Sequence, residues 1–144
     1  MTELPFKRLD PDASLPEQAH AGDAGLDLRS VVDVEVNPGE RAMVRTGLAV
    51  AIPDGHAGLV LPRSGLASRH GLTLSNAPGL IDAGYRGEVV CAVVNLDRER
   101  AVTISRGQRI AQLLIVPIAP VEALGVEDLP DSERGEAGFG SSGT

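Results

Sequence analysis

Asp82 stands in Gly79-Leu80-Ile81-Asp82-Ala83-Gly84-Tyr85-Arg86-Gly87-Glu88, where a turn aspartate would be ordinary. A carboxylate held in a partly closed site could instead orient and deprotonate a water molecule. Three residues on, Tyr85 offers a flat ring either to the core or to a sugar or base. Asp27, with Asp23, flanks the start of a strand in Ala21-Gly22-Asp23-Ala24-Gly25-Leu26-Asp27-Leu28-Arg29-Ser30. Such acids either tie a turn or sit near a hydrated cation. Pro62-Arg63-Ser64-Gly65-Leu66-Ala67 ends a strand and begins a helix. A helix start presents N–H groups to phosphate oxygens, Arg63 adds charge, and Gly65 allows close backbone approach. Ser64 either contributes its hydroxyl there or caps the helix. The segment lacks the glycine and lysine spacing of a standard P-loop. Gln112 interrupts the apolar run Ile110–Leu114, so its amide is satisfied by backbone or faces a ligand.

The elements that must position these groups are short β-favouring runs cut by turn residues. Val31–Val36, Arg41–Ile52, Gly58–Leu61, Glu88–Leu96, Ala101–Ser105 and Arg109–Ile118 read as strands. Asn37-Pro38-Gly39-Glu40 and Pro53-Asp54-Gly55 read as turns. One short helix fits Ser64–His70, and two strand-like runs flank Asn76–Glu88, which suggests a hairpin. The expectation is an all-β sandwich, barrel or jelly roll. The 144 residues suit one domain, with an apolar fraction of 42% but an aromatic fraction of 2%. Phe6, Tyr85 and Phe139 are the only aromatics, so the core is aliphatic. Cys91 is the only cysteine; intrachain disulfides are excluded and a buried inert thiol is expected. A net charge of −7 argues against general binding to nucleic acid or anionic membranes. Lys7 is the only lysine, the other basic residues being arginine, either from codon bias or because a planar fork grips phosphate. The polar start and the absence of a long apolar run predict a cytoplasmic protein.

After Pro120 the composition turns acidic, then glycine- and serine-rich through Arg134-Gly135-Glu136-Ala137-Gly138-Phe139-Gly140-Ser141-Ser142-Gly143-Thr144. Such a segment cannot bury enough to fold alone. A solvated tail, however, has little use for one phenylalanine between glycines, so Phe139 reads as an anchor. Arg134 and the serines are suited to anionic oxygens.

Taken in order, AGDAGLDLRS, PRSGLA, GLIDAGYRGE, RGQRIAQLL and RGEAGFGSSG resemble the five motifs of the homotrimeric dUTPase family. The resemblance runs from about Ala21 to the C-terminus. It implies a distorted β jelly-roll barrel over 1–120, with one short helix. Residues 121–144 would be a flexible arm that completes the active site of a neighbouring subunit. It implies hydrolysis of dUTP to dUMP and pyrophosphate with Mg2+, which limits uracil in DNA and supplies dUMP for thymidylate synthesis. By the same resemblance Asp82 activates the attacking water, and Asp27 holds a water of the metal. Arg63, Ser64, Gly65 and Gln112 cradle phosphates, joined by Arg134, Ser141 and Ser142 from the arm. Tyr85 packs on the deoxyribose, the backbone around Asn76 and Val90 reads uracil, and Phe139 stacks on the base. Related dCTP deaminases carry a catalytic Glu three residues before an Asn. Here the Asn is Asn95 and the matching position is Ala92. A non-catalytic nucleotide sensor on the same fold would be expected to lack Asp82 or the arm.

Overall fold

A computed structural model describes residues 2–143; Met1 and Thr144, the outer ends of the two predicted segments, lie outside the described residues. The strands are β1 (Phe6–Arg8), β2 (Leu26–Arg29), β3 (Val34–Val36), β4 (Arg41–Val50) and β5 (His56–Pro62). After α1 (Ser64–His70) come β6 (Leu72–Leu74), β7 (Gly79–Ile81), β8 (Glu88–Asn95), β9 (Val102–Ile104) and β10 (Arg109–Pro117). Two four-stranded antiparallel sheets, β1-β4-β8-β6 and β2-β10-β5-β7, are accompanied by the pair β3-β9. The fold is all-β and jelly-roll-like, and the sheets do not join into a closed barrel.

Strand alternation decides the packing. β8 alternates along its whole length, turning Val89, Cys91, Val93 and Asn95 inward. Leu28, Val44, Leu72, Val93, Ile104 and Leu113 meet in the main core, and each such side chain contributes about 1.5–3 kcal/mol on burial. A second cluster joins Ala13, Val31 and Leu48. As expected, the buried core is aliphatic, with Phe6 only partly buried against both clusters. Cys91 is 1% exposed, and burial pushes its thiol up to about 12. Asn95 is fully buried with its amide satisfied: Nδ2 donates to Val36 O (2.9 Å) and Arg100 O (2.8 Å), and Oδ1 accepts from Asp97 N (2.9 Å). It therefore ties β8 to the β3-β9 pair. No helix among the described residues is long and apolar enough to cross a membrane.

The expected strands are present, most with trimmed ends, while the run expected at Gly58–Leu61 extends to His56–Pro62, and α1 matches its expected span. Val31–Val36 shortens to three paired residues because Ser30 bends the chain, its Oγ donating to Val32 O (2.7 Å) and accepting from Val32 N (3.1 Å). The strands flanking Asn76–Glu88, β6 and β8, pair antiparallel as the expected hairpin, with Leu72 opposite Asn95 and Leu74 opposite Val93, but its long loop leaves their sheet. β7 pairs with β5 in one sheet, while β8 pairs with β4 and β6 in the other. The segment crosses between sheets, and that crossing opens a cleft between them.

Candidate functional site

The first cluster grows from strand register. β10 lies between β2 and β5, with Gln112 opposite both Asp27 and Leu61, and Ala111 opposite Pro62. β5 ends one residue before Arg63, and α1 starts at Ser64. Asp27, Gln112, Arg63, Ser64 and Gly65 thereby line one polar cavity of about 360 Å³, together with Asp23 and Gly25. Asp27 is held by two guanidinium groups, Arg109 Nη1 at 3.2 Å and Arg63 Nε at 3.8 Å. Arg63 Nη1 also donates to Arg109 O (3.3 Å). Gln112 satisfies backbone and faces the cavity at once: its Nε2 donates to Pro62 O at 3.1 Å. Gly25 makes room for it, since a Cβ there would lie 2.5 Å from Gln112 Oε1. Ser64 does not cap α1. Arg63 is the N-cap, in extended conformation, and no side chain bonds the helix start.

Of the two acids in this loop, Asp23 is a turn residue. Its Oδ2 accepts from His20 N at 2.9 Å, while Gln18 Nε2 donates to its backbone O at 2.6 Å. Asp23 and Asp27 together balance Arg63 and Arg109, so a polyanion entering the cavity needs further positive charge from elsewhere.

The second cluster lines the cleft between the sheets, a cavity of about 380 Å³. Asn76, Asp82, Tyr85 and Val90 line it with Met43, Leu80 and Ala92. Tyr85 N donates to Asp82 O (3.0 Å), closing the turn that carries both side chains. The Tyr85 hydroxyl donates to Glu88 O at 2.9 Å, and the ring lies over Gly87, where a Cβ would come within 2.5 Å of the hydroxyl oxygen. Glycine is required at 87 for space. Arg86 Nη1 donates to Ala83 O (2.6 Å) and Tyr85 O (3.0 Å), bracing the same turn. Glu88 takes a forked contact from Arg45 instead, with Nη2 to Oε1 at 2.9 Å.

The third group lies on the C-terminal segment. Beyond Pro117 the chain forms no strand or helix among the described residues. Its hydrogen bonds after Ile118 are internal, such as Arg134 Nε to Ala137 O at 2.6 Å. Arg134, Ser141 and Ser142 are exposed, and Phe139 is fully so, with a positive φ of 49°. Val121, Leu124 and Leu129 are exposed as well.

Thus the structure gathers Asp27, Arg63, Ser64, Gly65 and Gln112 into one cavity. Asn76, Asp82, Tyr85 and Val90 lie in a different one, and Arg134, Phe139, Ser141 and Ser142 in neither. Sequence reasoning missed Arg109 and Gly25. Arg109 sat in plain view beside the run containing Gln112, but only the β2-β10 register aims it at Asp27. No group of three or more His, Cys, Asp or Glu side chains suited to a metal occurs among the described residues. Asp27 shares the cavity with only one other carboxylate, Asp23, which is engaged in its turn, a donor set that fits a cation bound through water and not one caged by protein.

Comparison with known proteins shows the family of the chain. The dUTPase family model matches residues 11–143. The deoxyuridine 5'-triphosphate nucleotidohydrolase of Thermobifida fusca is 56% identical over 138 residues, 96% of this chain and 77% of that protein. The enzyme of the same name from Mycolicibacterium gilvum is 54% identical over 147 residues, covering 99% of this chain and 96% of its own. Among solved structures, Staphylococcus bacteriophage 80alpha dUTPase with dUPNHPP superposes with a TM-score of 0.91 at 37% identity, covering 100% of both chains. A mutant dUTPase of phage phi11 of S. aureus, whose structure is described as showing the coordination of a structural Mg(II) ion, superposes at 0.83 with 32% identity, covering 90% of this chain and 100% of that one. With the family model spanning both cavities and the C-terminal segment, and full-length relatives of one name on either side, the chain belongs to the dUTPase family of nucleotide hydrolases.

Proposed function

We propose that the chain is a dUTP diphosphatase, cleaving dUTP to dUMP and pyrophosphate in a homotrimer whose subunits share each active site. The observation that carries this reading is the separation of three chemically complementary parts on one chain. The polar cavity holds phosphate-binding groups but balances its own charge. The cleft between the sheets offers an apolar floor, Tyr85 and an exposed carboxylate at Asp82. Among the described residues the arm presents Arg134, Phe139, Ser141 and Ser142 away from the body of its own chain. Each part is of use only when brought to the others, and assembly of several copies would do so.

In this reading Tyr85 packs on the deoxyribose and leaves no space for a 2′-hydroxyl. Asn76 and the backbone at Val90 read uracil; an amine in place of its carbonyl would leave buried polar groups unpaired, which such sites reject strongly. Asp82 takes a proton from water as its oxygen bonds to the α-phosphorus, and the bond to the bridging oxygen breaks to release pyrophosphate. Arg63, Ser64, Gly65 and Gln112 hold the phosphates in line, and Arg134, Ser141 and Ser142 arrive with the arm. Phe139 closes over the base and excludes water. Mg2+, held by Asp27 through water, would supply charge neutralisation on the phosphates. Acting in the cytoplasm, without nucleic acid or membrane partners, the enzyme would keep uracil out of DNA and provide dUMP for thymidylate synthesis.

The test is incubation with Mg2+ and dUTP, dCTP, dTTP or UTP in turn, with products separated by chromatography. Pyrophosphate and dUMP from dUTP alone is the expected result. Release of dUMP or dUTP from dCTP would overturn it in favour of a deaminase, despite Ala92 in the nucleoside cleft. Binding of dUTP without turnover would indicate a sensor. Asp82→Asn should lower turnover about 10²–10⁴-fold with nucleotide binding kept.

A further inference from the structure

We infer that Arg45 is a positioning residue for Tyr85, and through it for sugar selection; this rests on the proposed function, in which Tyr85 faces the deoxyribose. The argument starts from a defect in the β4-β8 ladder. Arg45 pairs with Val90 and Ala49 with Glu88, so Thr46, Gly47 and Leu48 bulge opposite the single residue Val89. The bulge replaces ladder bonds with side-chain ones: Thr46 Oγ1 donates to Val89 O at 2.6 Å and accepts from Leu48 N at 3.3 Å. Gly47 has φ +67°, and a Cβ on it would lie 2.8 Å from Asp10 Cβ. The ladder is therefore weakest where β8 begins, which is where the crossing that carries Tyr85 must be anchored.

Arg45 repairs that point. Its Nε reaches both Glu88 carboxylate oxygens, at 3.2 and 3.0 Å, and Nη2 reaches Oε1 at 2.9 Å. Asp10 stands behind it at 3.9 Å from Nη1. Glu88 is the residue whose backbone oxygen accepts the Tyr85 hydroxyl. Asp10, Arg45, Glu88 and Tyr85 thus form one line from the bulge to the cleft. An exposed ion pair adds little to stability. A forked guanidinium–carboxylate contact nevertheless fixes direction as well as distance. Here the direction it fixes is that of the Glu88 main chain, hence of the phenol ring.

Tyr85 is the only tyrosine and the chain has no tryptophan, so tyrosine emission and near-UV dichroism report chiefly on this ring. Arg45→Met should lower tyrosine anisotropy and near-UV dichroism. It should raise KM for dUTP and cut the preference for dUTP over UTP roughly fivefold each, with kcat within about twofold. Arg45→Lys should recover part of the preference, since an ammonium supplies charge without the fork. In a Tyr85→Phe background Arg45→Met should no longer change the preference. An Arg45→Met variant with altered melting temperature but unchanged tyrosine signal, KM and preference would overturn the inference. So would an equal loss of preference in the Tyr85→Phe background. Failure of the underlying reading would look different: the unsubstituted protein would show no preference for dUTP over UTP, while the tyrosine signal would still test whether Arg45 orients the ring.

Discussion

The polar cavity and the C-terminal arm both carry groups suited to phosphate, yet they are built on opposite principles. In the cavity each group is fixed before any ligand arrives: register sets Gln112 opposite Asp27, two arginines hold Asp27, and Gly25 leaves space for the Gln112 amide. Among the described residues nothing in the arm is fixed by the body of its own chain, and the Arg134 side chain bonds to Ala137 O three residues on. Groups fixed in advance bind without further ordering cost. Groups on an arm must be ordered at binding, which weakens affinity but lets closure exclude water at the right moment.

The largest expected effect comes from removing the arm. Deletion of Gly135–Thr144 should lower dUTP turnover about 10²-fold or more while thermal melting stays unchanged, because what is lost is positioning and not packing. Full activity in the truncated protein would erase the contrast between the two regions. A smaller effect is expected inside the cavity. Gly25→Ala places a methyl group against Gln112 Oε1 and should raise KM about tenfold, with a stability cost of about 1–3 kcal/mol. An unchanged KM would mean that Gln112 is free to move and the cavity is less fixed than its hydrogen bonds indicate.

The smallest effect lies in a body turn remote from both. Asp97 Oδ1 accepts from Glu99 N and Arg100 N, both at 2.8 Å, and these bonds hold its carboxyl below the ordinary range. A lowered pKa means that the contribution is present at neutral pH and lost as pH falls through the folded value. Asp97→Asn should therefore melt slightly below the unsubstituted protein at pH 7. The gap should close in acid, as both are scanned below the usual carboxylate range near about 3.9.

Much of the fold was legible because punctuation was strong. Pro53-Asp54-Gly55 ended β4, and Glu88–Asn95 alternated cleanly. β1 and β7 escaped notice because three residues are too few to show a period. The hairpin of β6 and β8 was legible from the turn residues between them, but not that its loop sends β7 into the other sheet. The site residues were legible through motif resemblance, and their grouping was not. Nothing near Arg109 says that it points at Asp27, and nothing near Glu88 says that its partner is Arg45, 43 positions away.

Cys91 lines the cleft between the sheets yet is 1% exposed, with its thiol pushed up to about 12. Thiolate is the reactive form, so in the folded protein this sulfur is shielded both by packing and by protonation. The chain has no other cysteine, and labelling by an alkylating reagent therefore counts a single event, the opening of β8 away from its neighbours. The protein thus carries its own clock for breathing of the sheet beneath the cleft. A nucleotide that seals that cleft should slow the clock without touching the sulfur.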